Sequence, residues 1–208
     1  MLAQAGLQPR EGNTVALTMV ISLVAGNSVE LLTRGFELEL YGLHECAMVF
    51  SQLKYHYQIL LMNRKSLILS LAGDDLAKRI NFEDLSASHP VFQERRRKMS
   101  VVQKLACDEF ELFRCLVKAA GAMQQLFTHF EREGLFKNVI EHVEKNVYEN
   151  RFGIFATLPF PRFKTYDEYL VEKRALEAME KAELLESMKA AFTEARGILQ
   201  RLTATEDA

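Results

Sequence analysis

The sequence predicts an all-α protein, several long amphipathic helices with an extended Pro/aromatic segment wrapped over them in an irregular helical scaffold. Three observations carry that expectation. Only 4 prolines and 10 glycines occur in 208 residues, against many Leu, Ala, Glu, Lys and Met, which favours helix over strand. Apolar residues recur at three- and four-residue steps over long windows. The prolines that do occur late in the chain sit close together, at Pro159 and Pro161, among aromatics.

Taken in order, residues 1–13, with Gly6, Pro9 and Gly12, read as a loose lead-in, and 14–208 as one helical domain. An apolar helix is expected over 14–25. It is too short to span a bilayer, and only Arg10 is basic ahead of it, so a buried core helix is the reading, with no membrane involved. Gly26-Asn27-Ser28 reads as a break and a fresh N-cap, leading to a further helical turn through Leu31 and Leu32. Phe36, Leu38 and Leu40 alternate with acids, which is the strand period over five residues, although helical surroundings can override it. From Leu43 a long helix presents Cys46, Val49, Leu53, Tyr57, Leu60, Leu67 and Leu71, with Arg64 the one polar interruption and Gly73 its expected stop. Residues 75–90 form a polar, turn-rich joint. A second long helix over 91–133 carries Val102, Leu105, Phe113, Leu116, Ala120, Met123, Phe127 and Phe130 on its face and ends at Gly134. A short helix over 137–148 follows. In 151–166 the two prolines forbid helix interior, and Phe152, Phe155, Phe160, Phe163 and Tyr166 must bury their rings on another element. The last helix, 167–202, keeps a 3-4-3-4-3 seam at Leu185, Met188, Phe192, Ala195, Leu199 and Leu202. No internal repeat of fixed period stands out.

Composition narrows the function. At 49% hydrophobic and 26% charged the chain is ordinary globular material, able to bury roughly 70% of its unfolded surface. The formal charge of -2 excludes a globally basic DNA or RNA binder. Three cysteines give no disulfide framework. Cys107 and Cys115, eight apart on a helix, have Cα atoms about 12 Å apart, beyond bridging distance, so reduced thiols in a cytoplasmic protein are expected.

Motifs for catalysis are poor. Neither G-x-x-x-x-G-K-[ST] nor G-x-G-x-x-G occurs. The nearest approach to the acetyl-CoA loop [QR]-x-x-G-x-[GA] is Lys118-Ala-Ala-Gly-Ala-Met123, which fails at its first and last positions and lies inside a predicted helix. No cofactor is therefore expected. His44-Glu45 lacks a second zinc histidine; His129 with Glu133, and Cys107 with Glu111 and Cys115, share helix faces but make incomplete ligand sets, so a structural or surface role is read for them. The cysteines read as small buried apolar residues rather than nucleophiles. Arg95, Arg96, Arg97 and Lys98 form the one strong basic run. Successive helical residues fan around the axis, so a solvated face is read, and the run is also the candidate for contact with a ribosome or RNA.

Two stretches resemble the large auxiliary subunit of the NatC N-terminal acetyltransferase complex. One is Gly35-Phe-Glu-Leu-Glu-Leu-Tyr-Gly-Leu-His-Glu45. The other is Tyr148-Glu-Asn-Arg-Phe152 followed by Leu158-Pro-Phe-Pro-Arg-Phe163, Tyr166 and a helix ending Ala-Arg-Gly-Ile-Leu199. The order of the two is similar to that of the family's C-terminal portion. The aromatic cluster after His-Glu is thinned here to Phe50, Tyr55 and Tyr57, and family members are several times longer. The resemblance implies a non-catalytic helical scaffold. Its implied partners are a catalytic acetyltransferase subunit and a small Sm-like subunit, and its implied role is support for acetylation of nascent chains that begin with Met and a hydrophobic residue. Within the motifs, Phe36, Leu38 and Leu40 are expected to pack inward. Glu37, Glu39, His44, Glu45, Arg151, Phe160 and Phe163 are the candidates for partner contact. A generic helical interaction module and a small Cys- or His-dependent enzyme are the readings set against this one.

Overall fold

A computed structural model describes the backbone over residues 9–77, 101–136, 139–157 and 161–204, and side chains over the same ranges except that the first is limited to 16–70. The described residues are all-α, as the periodicity predicts. Helix α1 is Pro9–Glu37, α2 is Leu43–Ala77 and α3 is Val101–Arg132. Helix α4, Glu141–Tyr148, runs on through a π-helical turn, Glu149–Gly153, and a last turn, Ile154–Ala156. Helix α5 is Tyr166–Ala178 and α6 is Lys181–Ala204.

The four long helices lie side by side in the order α1, α2, α3, α6, each packed on the next. Their contacts fix the directions as alternately antiparallel. Asn63 of α2 donates to the Thr18 carbonyl and Ser22 Oγ of α1 (2.8 Å each). At the other end of the α1–α2 pair, the Phe36 and Phe50 rings meet edge-on at 5.1 Å. Phe50 also stacks on Phe127 of α3 at 5.7 Å, while Arg64, the polar interruption of α2, pairs with Glu109 at 2.5 Å. Cys115 of α3 meets Ala195 of α6, and Gln125 meets Ser187. Because α1 and α3 flank α2 and the strap of residues 161–165 crosses it, every residue from Glu45 to Leu53 is buried, and a one-sided stripe is absent there.

Several boundaries differ from the sequence expectation. Helix α1 begins ahead of residue 14 and passes through Gly26-Asn27-Ser28 without a break. Ser28 Oγ bonds back to the Val24 carbonyl (3.0 Å) instead of capping. Nor is α1 a fully buried core helix. Thr18, Ala25 and Leu32 face α2, whereas Leu17, Met19, Val20, Leu23 and Leu31 stay exposed. Ala16–Glu37 is long and apolar enough, by length and composition, to cross a membrane. Helix α2 runs past Gly73 to Ala77. The stop at Gly134 holds: its φ of 70° closes a Schellman turn in which Leu135 N–H donates to the Phe130 carbonyl. On α3, Val102 and Leu105 are exposed, since the buried face shifts to Ala106, Cys107 and Phe110 against Ile68 of α2. The expected last helix is two. Met179, at ψ 143°, turns the chain between α5 and α6; the buried positions of α6 are Leu184, Ala195 and Ile198, with Leu202 of the predicted seam packed against the last two and Phe192 and Leu199 exposed.

Candidate functional site

The two motif stretches, about a hundred residues apart in sequence, meet in space. Helix α1 ends in a second Schellman turn: Leu40 N–H donates to the Gly35 carbonyl (2.9 Å) and Glu39 N–H to the Phe36 carbonyl (3.0 Å). The left-handed position of that turn, φ 55°, is filled by Glu39, not by glycine. Gly35 is needed for a different reason. A Cβ there would lie 2.6 Å from the Tyr41 hydroxyl, so the ring folds back flat over the glycine. Glu45 then caps the start of α2, accepting from Gly42 N–H at 2.7 Å. From the second motif, Arg151 closes the loop. Its Nε donates to Glu45 Oε1 (2.7 Å), its Nη2 to the Leu40 carbonyl (3.1 Å), and its guanidinium lies 5.6 Å from the Tyr41 ring centre. Burial alone would raise the Glu45 carboxyl, but the Arg151 and Gly42 hydrogen bonds outweigh it and hold the group below its ordinary value.

The clasp reverses part of the sequence expectation. Leu38 (67% exposed) and Leu40 (58%) point to solvent with Leu43, and Phe36 is 37% exposed. Glu45 turns inward onto Arg151, while Arg151 itself stays half exposed. Glu37 is exposed and paired with Arg34 at 2.9 Å, Glu39 is exposed, and His44 is half-buried. Phe163 is also internal, stacked on Phe152 at 5.9 Å and edge-on to His56 at 4.7 Å. Phe160 and the run Arg95, Arg96, Arg97 and Lys98 lie outside the described residues.

Behind the clasp lies a polar centre that periodicity did not flag. Among the described residues the extended strap around Lys164 has no neighbouring strand, and the Gln52 side-chain amide takes that role. Lys164 N–H donates to Gln52 Oε1 (2.9 Å), and Gln52 Nε2 donates to the Lys164 carbonyl (2.8 Å). The Tyr148 hydroxyl bonds the same carbonyl at 2.7 Å and also meets Gln52. The Lys164 ammonium, buried, reaches Glu172 Oε2 (2.8 Å) and Ser51 Oγ (3.1 Å), and Gln124 donates to the same carboxylate. A second buried charge cluster ties α3, α4 and α5: Lys173 Nζ contacts Glu144 (2.7 Å) and Glu131 (3.0 Å), with Tyr166 and Tyr169 donating to Glu144. Both lysines are compensated, so both clusters hold the fold. The signal that could have revealed them is polar residues on the buried stripe of α2, where Gln52 and His56 fall at three- and four-residue steps between Val49 and Leu60.

Chemistry at these groups is limited. The Cys46 thiol is pushed up to about 11, chiefly by burial, and burial raises Cys115 too, so both are poor nucleophiles. Burial lowers His56 and keeps it neutral, its Nδ1 bonded to the Gln52 carbonyl at 2.9 Å. Among the described residues no three His, Cys, Asp or Glu side chains converge on a metal-sized site. Lys118–Met123 sits in the middle of α3, where backbone amides are already used.

A row of helices in which each member packs on its neighbours is the construction principle of helical repeat proteins. The family model described as NAA35-like, TPR repeats, matches residues 16–207. The chain belongs to that family. No curated protein and no solved structure matches it. Membership makes the chain an N-terminal acetyltransferase auxiliary subunit of the non-catalytic kind and gives the motif resemblance its coarse meaning. It also supplies repeats that the sequence did not display. Helices of 29, 35 and 32 residues repeat as packed neighbours and leave no fixed-period signature in a chain without Trp.

Proposed function

We propose that this chain is the scaffold subunit of a NatC-type complex, corresponding to the C-terminal portion of the large auxiliary subunit. In this reading it holds a separate catalytic acetyltransferase subunit, with a small Sm-like subunit alongside, for cytoplasmic acetylation of nascent chains starting with Met and a hydrophobic residue. The observation that carries the reading is the meeting of the two motif stretches. Residues resembling one family's signature at 35–45 and at 148–166 converge on the single Arg151–Glu45 clasp, within a chain whose family match covers 16–207. Acetyl-CoA chemistry belongs to the partner, and the chain supplies rigid helices and apolar surface. The basic run 95–98 is proposed as its contact with the ribosome.

The test is co-expression of this chain with the catalytic subunit of the NatC complex from the same organism, followed by affinity capture. Stoichiometric recovery through size exclusion supports the scaffold reading. A folded, monodisperse chain that captures no catalytic subunit refutes it.

A further inference from the structure

The leucines of the 38–43 loop face solvent, and the loop carries two features unfavourable to the isolated chain. Glu39 occupies the left-handed position of the Schellman turn, where glycine carries no steric cost and any other side chain does. It is also an acid placed at the C-terminal end of α1, where the helix dipole favours cations. Glu37, another acid in that last turn, is answered by Arg34 (2.9 Å); Glu39 has no ion-pair partner among the described residues. Two local rules are thus broken by one side chain, the pattern expected where a residue serves something outside the chain.

Around Glu39 stand Leu38, Leu40 and Leu43, 67%, 58% and 58% exposed. They are not free to collapse inward. The Arg151 bond to the Leu40 carbonyl, the Glu45 cap on Gly42 and the Tyr41 ring over Gly35 fix the loop from behind. Preorganised apolar side chains with an unanswered acid among them lose little conformational freedom on docking.

We propose that the 38–43 loop is a docking knob: Leu38, Leu40 and Leu43 insert into an apolar cleft of a partner protein, and Glu39 meets a Lys or Arg on the rim of that cleft. The complementary partner surface is apolar at its centre and basic at its edge. The identity of the partner rests on the scaffold reading, which makes it the catalytic acetyltransferase subunit.

The test uses opposed readouts on the full chain co-expressed with that subunit. Glu39→Gly relieves the backbone and is expected to raise the Tm of the chain alone by about 2–4 °C, while weakening capture and flattening its salt dependence. Leu40→Ser/Leu43→Ser is expected to leave the Tm unchanged and weaken binding by at least about tenfold. Val171→Ser, on a 70% exposed residue of α5 away from the loop, is the control that keeps full binding. If the wild-type chain captures the catalytic subunit and the loop variants do so equally well, the docking knob is overturned and the scaffold reading stands. If the wild-type chain captures nothing, both fall.

Discussion

At the scale of single residues the motif splits by chemistry. Glu45 and Arg151 work inward, so Arg151→Ala should cost about 2 kcal/mol, because it strips a charged hydrogen bond from a carboxylate whose side chain is 7% exposed. The pH dependence has a defined sign. The folded Glu45 carboxyl lies below its ordinary value of 4.5. Its contribution is therefore complete above pH 4.5 and fades as the pH falls through the folded value. Urea titrations of wild type and Arg151→Ala should show a gap at pH 7 that narrows in acid. The two phenylalanines of the motifs should also separate. Phe163→Ala, at a ring 2% exposed, should cost about 3–5 kcal/mol, and Phe36→Ala, at 37%, only about 1–2 kcal/mol. Equal losses in thermal melts would refute the assignment of Phe36 to the surface. That the two stretches resemble one family was legible in the sequence; that they meet in space was not. Which of their residues point inward was not, since the alternation at Phe36, Leu38 and Leu40 mimics a half-buried strand. The choice between strand and turn is made by Tyr41 and Arg151, and these act through space.

Among elements, α2 was the most legible and the strap the least. Cys46, Val49, Leu53 and Leu60 are buried as their spacing predicts, because a helix with neighbours on several sides buries its stripe whatever else it buries. The aromatic segment 151–166 was expected to lie over another element; Phe152, Phe163 and Tyr166 are buried, although 151–156 is helical and only the strap of 161–165 is extended. The strap's means of attachment is invisible to periodicity, because a glutamine side-chain amide pairs with its backbone as a strand would. Gln52→Ala should cost about 2–3 kcal/mol by orphaning the buried Lys164 N–H, measured by chemical denaturation; a loss below about 0.5 kcal/mol would mean the strap is held by its rings alone. The junction between α5 and α6 has neither Pro nor Gly to announce it. Lys181 pairs with Glu133 at 2.8 Å and Arg132 donates to the Met179 carbonyl (2.9 Å), so the turn is set by the end of α3.

Over the whole molecule the row of helices has unlike ends. The exposed positions of α6 are mostly polar. The outer face of α1 carries Leu17, Val20, Leu23 and Leu31, 53–65% exposed, a surface of the kind that associates or aggregates when left bare. Val20→Glu with Leu23→Lys should therefore leave the Tm within about 1 °C while lowering the apparent mass in concentration-dependent light scattering. A chain that is strictly monomeric before the change would refute the expectation. The register of the buried side, Thr18, Ala25 and Leu32, could be read from the sequence only after the helix was known to cross Gly26.

The Arg151–Glu45 pair spans 106 residues, and that separation has a temporal meaning. A polypeptide made from its N-terminus at about 5–20 residues per second finishes the 35–45 segment roughly 5–20 s before its fastener exists. Until then Leu40 lacks one of the bonds that hold its backbone, and Glu45 is an unmatched acid. The finished loop thus acts as a receipt for delivery of the other motif: a chain interrupted between the two would carry every leucine of the loop and still not present them in their fixed arrangement.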